Sequence, residues 1–288
     1  MSTPYRTGWI PVREVSGPSD LVTKAFLYYA ALLIPRTLFQ KRTVETVRTA
    51  YNLDRQKMVD DLEGIDWDSY VFFSKDRKDF TLIDGQVRFS EWRAPRELLL
   101  NELKDAVSSV ARPGATVVEF GSGDGRNLFY LKKCFPDMKF VGFELSDISV
   151  GLSQAASTKF KVADVSFYCA DVTRTLPIDL SQENVICCFS SFALEMMPKI
   201  FQGAVDQMLS LSSDLVVFFE PVDELWSHDL RGWASKLRVL NLHRLRGLYR
   251  YVQEVARKGE WTIERAQRSG IAINPFNEMV QIRLKRKK

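Results

Sequence analysis

Histidine is nearly missing from this 288-residue chain, which has only two, His228 and His243. A histidine general base therefore has few candidates. Cysteine is scarce as well. Cys134, Cys169, Cys187 and Cys188 form no C-x-x-C pair and have no histidine at metal-ligand spacing. Three of the four lie in apolar segments, so buried free thiols in a reducing cytosol are expected, with no metal site and no disulfides. Long apolar runs are also lacking: the longest, Ala25 to Ile34, stops at Pro35, short of a bilayer span. Met1 to Gly17 is mixed and polar where a secretion leader would be charged and then apolar, so a cytoplasmic protein is expected. Internal repeats and low-complexity tracts are absent.

The composition is ordinary for a globular protein, 45% hydrophobic and 26% charged. The charge is unevenly placed. From His228 to Lys288 there are 15 Lys and Arg against 5 Asp and Glu, a local +10 in a chain whose total is +4. Such asymmetry suits either an anionic partner or a solvated helix face with a charged tail.

The densest signal is Val117-Val118-Glu119-Phe120-Gly121-Ser122-Gly123-Asp124-Gly125. A β-forming run enters a turn with glycine at every second position, and Asp124 is placed to cap a following helix. A dinucleotide fingerprint needs a third glycine where Arg126 stands, so that reading fails. Strands and helices then alternate. Lys139–Glu144, Val165–Cys169, Asn184–Phe189 and Leu215–Phe219 read as strands. Ile148–Phe160 and about Ala193–Leu211 read as helices, the first capped by Ser146 or Asp147. Near-continuous apolar strands between amphipathic helices predict a parallel sheet covered on both faces. Trp261–Ala266 and Glu278–Leu284 alternate like a hairpin at its edge. Before Pro113, helices are predicted at Ser19–Ile34, Thr43–Leu62 and Pro95–Val110, with an aromatic-rich link between the last two.

The pattern E-x-G-x-G-x-G, followed by acids at two later strand ends, Glu144 and Asp171, resembles class I S-adenosylmethionine (SAM) dependent methyltransferases over Val117 to Pro221. The resemblance implies an α/β fold, a seven-stranded doubly wound sheet with its last strand antiparallel, and a helical N-terminal extension. It divides the chain into a helical extension or lid at 1–94 and a SAM-binding domain at 95–288, with a basic helical insertion at about 228–259. It implies SAM as cofactor, held by Glu119, Gly121, Ser122, Gly123, Glu144, Asp171, Val172 and Ser190. Glu144 would take the ribose diol, Asp171 the adenine amino group and Glu119 the amino-acid end. Phe189-Ser190-Ser191-Phe192 would line the sulfonium and methyl. The continuation Ala193 to Pro198 is similar to that of many small-molecule and saccharide methyltransferases.

Glu195, Glu220, Asp223 and His228 follow the fourth and fifth strands, where an acceptor should sit, and Glu195 and Glu220 are the first candidates for catalysis. The stretch after the fourth strand lacks the Asn/Asp/Ser-Pro-Pro-Tyr/Phe motif of base-amino methylation and the Pro-Cys of cytosine C5 enzymes, and no paired-glutamate loop of arginine methylation is found. The basic amphipathic stretch Asp229–Gly259 suits a small anionic acceptor, with RNA phosphates, an anionic membrane surface or an inactive scaffold as alternatives. Trp92 and Arg93 are expected nearest the cofactor.

Overall fold

A computed structural model describes residue 52 and residues 55–73, 77–197, 201–241 and 245–287. The predicted helix at Ser19–Ile34 lies outside them, as does most of Thr43–Leu62, of which 55–61 are helical. Two short strands, β1 (Lys78–Ile83) and β2 (Gln86–Glu91), pair as a hairpin. The main sheet comprises β3 (Thr116–Phe120), β4 (Lys139–Glu144), β5 (Val165–Cys169), β6 (Val185–Ser191), β7 (Leu215–Glu220), β8 (Trp261–Arg268) and β9 (Val280–Arg286). Its order is β5-β4-β3-β6-β7-β9-β8. β3 to β7 pair in parallel, and β9 runs antiparallel between β7 and β8. The chain builds outward from β3 to β5, then restarts at β6 on the other side of β3. Such a reversal opens a crevice at the carboxyl ends of β3 and β6.

The helices are α1 (Trp67–Phe72), α2 (Arg93–Ser108), α3 (Arg126–Cys134), α4 (Asp147–Lys159), α5 (Phe201–Leu211), α6 (Leu230–Asn241) and α7 (Leu248–Arg257). Strand residues alternate between two cores, as a period of two requires. Val117 and Phe189 pack with side chains of α1 to α4, whereas Val118, Phe120 and Cys188 pack with those of α5 to α7. The α/β, seven-stranded, doubly wound architecture is therefore as expected, down to the antiparallel strand.

Several local expectations are corrected. The aromatic link holds the β1–β2 hairpin, turned at Asp84 (φ 52°) and Gly85 (φ 74°), so the region before residue 95 is not purely helical. Two positive φ values at Asp-Gly are the backbone of a tight turn whose twist matches the strands. The expected helix Ala193–Leu211 is a 3-10 turn at Leu194–Met196 and then α5. The Glu220 carboxylate accepts the amides of Ala193, Leu194 and Glu195, which ties that turn to β7. The insertion is two helices, α6 and α7, the second preceded by the N-cap Gly247 with φ 84°. Cys187 and Cys188 are buried, but Cys134 is half-buried and Cys169 exposed. Among the described residues no helix is long and apolar enough to cross a membrane.

Candidate functional site

β3 delivers the glycine turn to the crevice. The amides of Gly121 and Ser122 both donate to Phe143 O, at 2.8 and 2.9 Å, which folds the turn across the end of β4. Gly121 has φ 78°, and a Cβ there would lie 2.3 Å from Ala193 Cβ in the turn after β6. Only glycine fits both demands. Gly125, at φ 77°, is the N-cap of α3. Asp124 does not cap the helix as expected. Its carboxylate lies 2.8 Å from Arg126 Nε and 3.4 Å from Arg55 Nη1, because two cations, one buried and one half-buried, hold it more strongly than an amide would.

A cavity of about 320 Å³ occupies the crevice. Its lining includes Glu119, Gly121, Ser122 and Gly123 from the loop, Glu144 after β4, Asp171 and Val172 after β5, and Ser191 and Phe192 after β6. The structure thus brings together seven of the eight residues expected at the cofactor. Ser190 is the exception, fully buried in β6 while its neighbour Ser191 reaches the cavity. Glu144 Oε2 accepts from Gly123 N at 2.9 Å, and Oε1 accepts from Ser146 N at 2.9 Å. Each oxygen keeps a lone pair for a further donor. Asp171 Oδ1 accepts from Thr173 N and Oγ1, and Arg174 Nε lies 3.2 Å from Oδ2.

Glu119 is 1% exposed. Asn127 Nδ2 donates to its Oε1 at 2.6 Å, and its buried Oε2 has no partner. Burial pushes its pKa up to about 8, against the pull of Asn127 and Arg96. Arg96, on the first turn of α2, lines the same cavity at 8% exposure. Its Nε donates to Val71 O at 3.2 Å, and it has no ion-pair partner among the described residues. Burial and the neighbouring Arg126 lower its pKa to about 10. Both guanidinium groups lie over the Phe73 ring, Arg126 at 4.6 Å and Arg96 at 5.6 Å from its centroid. Phe73 (φ 68°) and Phe192 (φ 55°) both line the cavity in a backbone region costly for bulky residues.

Arg96 is the cavity cation that the sequence reading missed by one helical turn. Arg93 instead pairs with Asp68 and Glu97, both at 2.6 Å, and Trp92 stacks under Arg77. The expectation for Glu195 and Glu220 is also corrected, since neither lines the cavity. Glu220 is wholly buried, spends its oxygens on three backbone amides, and is pushed up to about 8 by burial and by Glu195. Glu195 accepts from Asn277 Nδ2 at 3.1 Å. Asp223 faces Arg246 at 3.4 Å, and His228 is likewise outside the lining. The cavity is also lined by the apolar side chains of Phe192, Met196, Met197, Ile271 and Ile273. Among the described residues no cluster of His, Cys, Asp and Glu could hold a metal ion.

A family profile described as a methyltransferase domain matches residues 117–214, the span from the glycine strand to the end of α5 and the turn after it. Residues 117–214 carry a methyltransferase domain, in the class I fold. A curated tRNA (guanine-N(7)-)-methyltransferase of Shewanella pealeana is 28% identical over 108 residues, 37% of this chain. The chain spans 46% of that relative's length. The domain's fold matches the magnesium protoporphyrin IX methyltransferase of Synechocystis solved with bound SAH (TM-score 0.57, 13% identity, 85% of this chain and 100% of that one). It also matches the cyclase SpnF (TM-score 0.58, 13% identity, 85% and 96%). A third match is the geranyl diphosphate C-methyltransferase of Streptomyces coelicolor (TM-score 0.53, 12% identity, 68% and 78%). At these identities the likeness is one of fold, and the presence of a cyclase among them leaves the chemistry to the site.

Proposed function

We propose that this chain is a SAM-dependent methyltransferase acting on an O or N atom of a small molecule. The observation that carries the reading is the glycine loop at the sheet's switch point, backed by a strand-end glutamate whose carboxylate is aimed by Gly123 and Ser146. The fit to SAM rests on unspent polar groups. Glu119 Oε2 and Ser122 Oγ are buried without partners, and Arg96 has no ion-pair partner among the described residues. A zwitterionic amino-acid group answers both charges, its ammonium at Glu119 and its carboxylate at Arg96. Glu144 would hold the ribose diol, and Asp171 with Val172 would flank the adenine.

When bound, SAM supplies a methyl group on a sulfonium, which needs an aligned nucleophile and little else. The chain's own contribution is then placement and exclusion of water by the apolar wall at Phe192, Met196 and Met197. That wall favours an acceptor with an apolar body.

Calorimetry with SAM is the direct test. The wild type is expected to bind, Glu144→Ala to abolish detectable binding, and Arg96→Ala to weaken it about tenfold to a hundredfold, the worth of one charge-assisted contact. Absence of wild-type binding would overturn the reading. With labelled SAM and a cell extract, the label is expected in the small-molecule fraction. Label in RNA would instead favour the reading suggested by the Shewanella relative.

A further inference from the structure

Helix α6 carries a feature that methyl transfer does not use. Leu230, Trp233, Leu237 and Leu240 are 88%, 59%, 41% and 45% exposed. At about 100° per residue, their positions fall within an arc of about 80° on one side of the helix. On the other side Gly232, Ser235 and Val239 are buried against the body of the protein. The helix is not loosely attached. Arg231 Nη2 lies 2.8 Å from Glu278 Oε2, Arg231 Nη1 donates to Pro275 O at 3.3 Å, and Trp226 Nε1 donates to Glu278 O at 2.9 Å. Glu278 belongs to the β8–β9 connection, whose Ile271 and Ile273 line the cavity. The apolar stripe is therefore fixed to a segment that walls the cavity.

Charge decides what covers it. The sequence of α6 contains no acidic residue, and the cationic positions 236 and 238 lie on opposite flanks of the stripe. The chain that follows has 12 Lys and Arg against 4 Glu, within the +10 carried from His228 onward. We propose that α6 seats on an anionic lipid bilayer. Its stripe would enter the boundary between headgroups and acyl chains, while the flanking cations lie level with the phosphates. Tryptophan in the stripe suits that boundary, since its ring is apolar and its N–H polar. Pairing of two α6 stripes from two copies would bring like charges together on both flanks, which opposes it. RNA would reward cations along the middle of the surface, where this helix places leucines. Docking goes beyond the methyltransferase reading and stands without it.

The test is sedimentation of the full chain with equimolar phosphatidylglycerol–phosphatidylcholine vesicles and with phosphatidylcholine vesicles alone. The chain is expected to bind the anionic vesicles, with at least about tenfold weaker partition to the neutral ones. The double variant Trp233→Ser, Leu237→Ser is expected to lower partition to the anionic vesicles about tenfold or more, with SAM affinity unchanged, because both side chains are exposed. Failure of the wild type to bind anionic vesicles would overturn the proposal, as would equal binding by the double variant. So would a wild-type dimer that the double variant turns into a monomer. Vesicle binding without SAM binding would sink the methyltransferase reading and leave the docking intact.

Discussion

Glu119 is the residue where burial has the clearest consequence. With a pKa pushed up to about 8 by burial, which outweighs the pull of Asn127 and Arg96, its carboxyl carries a proton at neutral pH. A bound ammonium reverses the balance, because an opposite charge favours the ionised form. Binding SAM should therefore release a proton, and affinity should rise with pH until about pH 8, by up to about tenfold per unit. Glu119→Gln should flatten that dependence. Calorimetry in two buffers of unlike ionisation enthalpy reads the proton directly, and equal heats in both buffers would refute the assignment. Glu119 itself was legible, since an acid two residues before a glycine turn has few other uses. Arg96 was not, because helical periodicity in α2 shows which face is apolar, not which cation lies level with a cavity that other elements enclose.

At the scale of the element, the turn after β6 depends on a buried carboxyl group. Glu220 gathers the amides of Ala193, Leu194 and Glu195 and so replaces the helix that the apolar spacing of Leu194, Met197 and Phe201 predicted. Its folded pKa of about 8 lies above the ordinary 4.5. Between those values the folded chain keeps a proton that the unfolded chain has lost, so stability falls as pH rises; below 4.5 both states hold the proton and the effect is flat. Glu220→Gln keeps the shape and an acceptor oxygen for two of the amides. Its denaturation midpoints should decline less steeply over that range than those of the wild type, and identical slopes would show that Glu220 stays ionised. The strands were legible within a residue or two because β3, β4, β6 and β7 are buried on both faces and read as apolar runs, while β5, at the sheet edge, is only partly buried. The β1–β2 hairpin left a mark that went unused: Asp84-Gly85 between alternating segments is a strong short-range turn signal. The break between α6 and α7 had its mark in Gly247.

Across the whole molecule, the sheet brings the two halves of the site together without letting them act separately. Four strand ends supply the cofactor-side lining, α2 supplies Arg96, and the β8–β9 connection supplies Ile271 and Ile273. That connection also bonds to the hairpin, Leu82 N donating to Ala272 O at 2.7 Å and Ala272 N to Leu82 O at 3.0 Å. Residues far apart in the chain thus enclose one space, which is why the acceptor wall was not legible from local pattern. The contact between Gly121 and Ala193 spans this division. One belongs to the loop expected to cradle the cofactor, the other to the wall expected to face the acceptor, and there is no room for another methyl between them. The two positions should therefore vary as a pair during divergence, one growing only as the other shrinks. Gly121→Ala should lose SAM binding through both crowding and its positive φ. Adding Ala193→Gly should recover the share due to crowding, and the residue left unrecovered measures the backbone's part. On the proposed function, any drift toward a bulkier acceptor that enlarges position 193 would be transmitted to the glycine loop, so substrate range and hold on SAM would be inherited as one trait.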